Sequence, residues 1–110
     1  MAPLLFTIKK RATFVHIRDN GIFIRSKNIN IQRLVDQDLY GKIGVGYTAT
    51  KKIGNAVKRN KAKRIMRELA KKILIKGKIN SYYVLIAKIS ILDSKFKNLY
   101  EEMENIINVK

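Results

Sequence analysis

The chain has 110 residues, 46% of them hydrophobic, and no cysteine, which excludes wholesale disorder, disulfides and thiolate metal sites. Its 24 Lys and Arg stand against 8 Asp and Glu, a net charge of +16. Such an excess repels itself in a compact fold and points to a polyanionic partner, nucleic acid or an anionic membrane surface.

The length suits one domain, expected to span 1–110. The opening MAPLLF is shorter than the apolar core of a secretion signal, and no run approaches 18 apolar residues. Together with the missing cysteines, this leads us to expect a soluble cytoplasmic protein; separately, it is expected to be monomeric when free. The first element is a helix over 7–19, stopped by Asn20-Gly21. On it Arg11, Phe14 and Arg18 share one face, and Ile8, Ala12 and Val15 a neighbouring apolar one. From Ile22 to Val35 the pattern turns towards period two, with Ile29 and Ile31 on one side and Asn28, Asn30 and Gln32 on the other. DQDLYGK reads as a loop. KIGVGYTAT reads as a strand with Ile43, Val45 and Tyr47 on one face and Lys42, Gly44, Gly46 and Thr48 on the other. Glycines in a strand leave room for a close approach to the backbone.

A second helix is predicted from an N-cap at Asn55 to about Lys76, ahead of Gly77. Ala62, Ile65, Met66, Leu69 and Ile73 form its apolar stripe, and Arg59, Lys63, Arg67 and Lys71 form a row at i+4 spacing, with Asn60 and Arg64 beside it. SYYVLIAKI is apolar on both faces, as a central strand is. Asp93 or Ser94 is expected to cap a last helix that turns Phe96, Leu99, Tyr100, Met103, Ile106 and Ile107 inward. The fold class is α+β, a single-domain sandwich in α-β-β-β-α-β-α order with one sheet covered by helices.

The charge is a patch. Residues 51–78 hold 12 of the 24 cations and one acid, Glu68, whereas 79–110 hold four of each sign. A solvated face is what most charge runs are, but such a face interleaves signs. Here like charges at i,i+4 each cost about 0.2–0.5 kcal/mol, three times in a row. Nucleic acid explains that arrangement better than a membrane, because the helix's apolar face lacks Trp and Phe. Phe14 alone reads as a core aromatic; its company of Arg11 and Arg18 favours the edge of a single-strand groove. His16, the one histidine, lacks a second base or a metal partner in sequence, and Gly44, Gly46 and Gly54 do not fit a phosphate loop.

KKIGNAVKRNKAKRIMREL closely resembles the signature of the bacterial ribonuclease P protein component. IKKRATFVHIRDNG resembles the family's first helix, and IGVGYTAT and YYVLIAK its flanking strands, so the resemblance covers nearly the whole chain. It implies a non-catalytic subunit of an endoribonuclease that binds a catalytic RNA and the 5′ leader of precursor tRNA, while that RNA and its Mg²⁺ ions hydrolyse the leader bond. It also implies a left-handed β-α-β crossover, against the usual rule. Carried over by position, Arg59 and Asn60 match an Arg-Asn-Arg motif whose last Arg is Lys61 here, a change that keeps charge but loses bidentate geometry. Lys63, Arg64 and Arg67 match the downstream cations. Lys51, Lys52, Asn55 and Lys71 complete the surface expected to meet the RNA subunit. Arg11, Phe14 and Arg18, with Asn28, Asn30, Gln32 and Thr48, are expected to hold the leader; Arg18 and Gln32 stand where the family often has aromatics. The competing class is a ribosomal-type structural RNA-binding protein, which needs no such groove.

Overall fold

The structure, a computed structural model, describes residues 3–109; residues 1, 2 and 110 of the expected domain lie outside it. The elements are β1 (Leu5–Thr7), α1 (Arg11–Asn20), β2 (Ile22–Ile24), β3 (Ile29–Val35), β4 (Ile43–Thr48), α2 (Ala56–Ile73), β5 (Ser81–Ala87) and α3 (Phe96–Val109). The strands form one sheet in the order β1-β4-β5-β3-β2. β1 and β5 run parallel to β4, and β3 runs antiparallel to β5 and β2.

β5 is central, and its alternation divides the molecule into two layers. Tyr83, Leu85 and Ala87 join Ile29, Ile31, Ile43 and Val45 in the main core with α2 and α3. Tyr82, Val84 and Ile86 face the other way, where Ile8, Phe14 and Ile17 pack on them. One sheet is thus covered on both faces, by α1 on one side and by α2 and α3 on the other. α2 joins the adjacent parallel strands β4 and β5, and this is the crossover for which the resemblance implies the left hand.

Two expectations about the first helix need correction, and its stop has a different cause. The first helix does not begin at Thr7: residues 5–7 are a strand, held through Ile43 N–H donating to Leu4 O at 2.9 Å and Ile8 N–H donating to Val45 O at 2.8 Å. Three residues are too few to show a period, and their partner lies some forty residues away. Ala12 is exposed, whereas Ile17, outside the predicted apolar face, is fully buried and anchors α1. The α1 stop at Gly21 is real, but its φ of −87° is open to any residue. Glycine is needed because a Cβ there would stand 2.6 Å from the Arg33 carbonyl oxygen.

α2 follows its sequence closely. Asn55 caps it by accepting from Lys58 N–H at 3.0 Å, and Ala62, Met66, Leu69 and Ile73 are buried, with Ala70 added. Beyond Ile73 the chain tightens into a 3-10 turn, Leu74–Lys76. In α3, Leu99 and Met103 are fully buried, but Phe96 is more than one-third exposed. Of the two caps expected for α3, Asp93 or Ser94, the Ser94 hydroxyl is engaged elsewhere. It lies 3.1 Å from Asn28 Oδ1 and 2.9 Å from the Ser90 carbonyl oxygen.

Candidate nucleic-acid interface

α1 lies across the sheet and leaves a groove along one side. Its wall is Arg11, Phe14, Val15 and Arg18; its floor is Gln32, Thr48, Val84 and Ile86, around a volume of about 240 Å³. The strand register builds that floor. Gly46, Val84 and Gln32 stand abreast on β4, β5 and β3, and Thr48, Ile86 and Asn30 form the next row. Opposed residues share a face, so both rows are presented to α1.

Phe14 is seated by a glycine. A Cβ at Gly46 would lie 2.7 Å from Phe14 Cζ and closer still to Cε1, so the ring occupies the space that every other residue would fill. The opening read in the strand as room for an approaching partner is therefore taken by the protein's own aromatic. Phe14 is half-buried, one part resting on the β4 backbone and the rest lining the groove. Arg18 is exposed and pairs with Asp19 at 3.1 Å, an exposed contact that contributes little.

The groove opens towards α2. A second depression of about 430 Å³ is lined by Arg11, Phe14, Thr48 and Lys63, with Lys9, Tyr47 and Ala49. Lys63 therefore belongs both to the cationic row and to the mouth of the groove. Further along, Arg67 and Lys71 flank a hollow bounded by β1 and Tyr47. Burial raises the Tyr47 pKa, and the Arg67 charge beside it pulls the other way. Arg59 is half-buried, while Asn60, Lys61 and Arg64 are exposed. Among the described residues, no carboxylate lies within ion-pair distance of Arg59, Lys63, Arg67 or Lys71, and Glu68 pairs with none of its neighbours. The row is a standing positive surface.

Two groups of residues fall elsewhere than their sequence suggests. Lys51 and Lys52 sit in a 3-10 turn, Lys51–Ile53, and line a larger hollow of about 730 Å³ with Asn30, Ile86 and Lys88. They are neighbours of the strand face rather than of the α2 row. Asn28 is the second correction. Its alternation with Asn30 and Gln32 predicts the outward face, yet it is 4% exposed and turned towards α3. Its Nδ2 donates to Glu102 Oε1 at 2.7 Å, and its N–H and the Ser26 hydroxyl both donate to Oε2, at 2.8 and 2.5 Å. Burial by itself would raise the Glu102 pKa; these bonds, with one from Ile29 N–H, outweigh it and hold the pKa below its ordinary value. Asn28 thus pins the β2–β3 connection to α3 and does not line the groove.

Sequence reasoning missed Val15, Val84, Ile86, Lys9 and Lys88. Val84 and Ile86 were legible in principle, being every second residue of an apolar strand from Tyr82. Lys9 and Lys88 lie in short flanking segments with no period to place them. His16 makes a 3.2 Å contact from Nδ1 to Asn20 Nδ2 within its own helix.

A family model described as Ribonuclease P matches residues 5–109. The ribonuclease P protein component of a Nitratiruptor species is 32% identical over 101 residues, covering 92% of this chain and 88% of that protein. The structure of the Staphylococcus aureus RNase P protein matches with a TM-score of 0.81 at 25% identity, over 94% of each chain. The RNase P protein from Thermotoga maritima, at 18% identity, shares the fold with a TM-score of 0.83 over 96% of this chain and 97% of that one.

Proposed function

The chain belongs to the ribonuclease P protein family, and from that premise we propose how it serves the enzyme: α2 grips the catalytic RNA subunit while the α1 groove holds the 5′ leader of precursor tRNA. It is a protein component of that endoribonuclease. The observation that carries the proposal is a junction. A groove walled by Arg11, Phe14 and Arg18 opens, at Lys63, onto a row of cations with no acidic partner among the described residues. The row suits the dense phosphates of a folded RNA, and the groove suits a single strand of variable sequence, because stacking on Phe14 needs a base but not a particular one.

In this proposal the hydrolysis belongs to the RNA subunit and to Mg²⁺ held mainly there. Among the described residues, no group of three or more His, Cys, Asp or Glu could hold a metal ion. This chain's own part is positioning. Arg11 and Arg18 neutralise leader phosphates, Phe14 stacks a base, and Gln32 and Thr48 offer hydrogen bonds from the floor. Holding the leader fixes the scissile bond against the RNA, which lowers the entropic part of the barrier. The free protein is proposed to be a cytoplasmic monomer; among the described residues no helix is long and apolar enough to cross a membrane.

The test is reconstitution of purified protein with the RNA subunit, Mg²⁺ and precursor tRNA. At physiological salt the protein should accelerate leader removal by the RNA and cleave nothing without it. Cleavage by the protein alone that disappears in His16→Ala would overturn the assignment of catalysis to the RNA.

A further inference from the structure

The row of side chains on the groove face of the sheet does not end at Gln32. Phe23 pairs directly with Gln32 across β2 and β3, so the two side chains leave the same face of the sheet, the one that α1 covers. The neighbouring pair fixes the phase: Ile24 opposes Ile31 and packs into the main core on the opposite face. Phe23 therefore extends the row Gly46–Val84–Gln32 to the edge of the sheet, beyond the reach of the α1 wall. It is 50% exposed although it is a large apolar ring. The Arg25 guanidinium stands 5.7 Å from its centroid, over one face of the ring. Arg18, on the last turn of α1, supplies a second exposed cation on the same side of the sheet.

We propose that Phe23 is a second stacking platform for the leader, at the outer end of the groove, with Arg25 meeting an adjacent phosphate. This rests on the leader reading given above. The occupant follows from the surface. An exposed aromatic with a cation over it, in line with a cationic groove that already presents one half-exposed ring, is the arrangement that takes an unpaired base and its phosphate. Three inter-strand steps separate the Phe14 seat on β4 from Phe23 on β2, about 14 Å across the sheet. Consecutive bases cannot occupy both rings, and because the Phe14 end opens at Lys63 onto the α2 row proposed to meet the RNA subunit, Phe23 at the far end takes leader nucleotides further from the cleavage site.

The experiment measures binding of three ligands to reconstituted holoenzyme: precursor tRNA with a leader of roughly ten nucleotides, the same precursor with a single-nucleotide leader, and mature tRNA. Phe23→Ala, Phe23→Leu and Phe23→Tyr are compared with Phe14→Ala and wild type. Phe23→Ala and Phe23→Leu should weaken the long-leader precursor by about 5–150-fold and leave the other two ligands unchanged, while Phe23→Tyr should retain affinity. The folded spectrum of each variant is checked by circular dichroism. A loss with Phe14→Ala but none with Phe23→Ala overturns the platform and leaves the groove reading standing. No loss with either overturns the groove reading itself. Equal losses for long-leader precursor and mature tRNA, or a change in oligomeric state with leader affinity intact, would mean that Phe23 meets something other than the leader, and would overturn the proposal.

Discussion

Phe14 rests on Gly46 across the gap between α1 and β4, and any side chain at position 46 would have to displace the ring. The contact joins a helix position read as functional to a strand glycine read as empty space. It also fixes where the aromatic presents its exposed part to the groove.

Gly46→Ala should therefore destabilise the fold by about 1–3 kcal/mol, the cost of forcing extra volume into a packed site. In the Phe14→Ala background the same change should cost little. Urea unfolding of the four proteins gives the coupling, expected to be on the order of 1 kcal/mol or more. Additive costs would mean that the ring moves aside freely and is not seated by Gly46.

Phe14→Ala should weaken precursor tRNA binding to the holoenzyme by about 5–150-fold. Binding of mature tRNA, which has no leader, should hardly change, nor should affinity for the RNA subunit. Comparable losses for both tRNAs would assign Phe14 to the structural layer beneath α1.

Arg67→Ala removes one charge from between Lys63 and Lys71, relieving two repulsions of about 0.2–0.5 kcal/mol each. Stability should hold or rise slightly. Affinity for the RNA subunit should fall, and the slope of log affinity against log salt should become shallower by about 0.7–0.9 for one lost phosphate contact. Arg59→Ala should likewise weaken assembly with the fold intact. A variant that unfolds while keeping its salt slope would make the row a structural feature.

Glu102 sets a pH dependence. Its folded pKa lies below the ordinary 4.5, so the fold favours the carboxylate. The stability it contributes is fully present above the ordinary pKa and is lost as pH falls through the folded value. Glu102→Gln should be less stable than wild type at neutral pH by about 1–3 kcal/mol, since it leaves donors of Asn28 and Ser26 poorly matched. The gap between the two proteins should begin to narrow as pH falls below 4.5 and close once pH passes below the folded value. Denaturant midpoints measured from neutral pH down to about one unit below that value decide this. A constant gap across the range would remove the carboxylate from the explanation.

The features that the sequence determined by itself are the local ones. Asn55 as a cap, the buried stripe from Ala62 to Ile73, the cationic row facing away from it, and the common face of Arg11, Phe14 and Arg18 all follow from spacings of three and four residues, which a helix converts directly into neighbours. The apolar run of β5 announced its central place in the same way. What tertiary structure alone decided depends on partners far apart in the chain. β1 exists because β4 supplies its hydrogen bonds, and Asn28 leaves the groove face because Glu102, 74 residues later, binds its amide and backbone N–H. Phe23 extends the Gly46–Val84–Gln32 row because strand register sets it beside Gln32, and Gly46 is filled because α1 crosses β4 at Phe14. Period two and period 3.6 tell which side a residue faces within its own element. Which element arrives on that side is fixed by packing and pairing between segments that no local pattern connects.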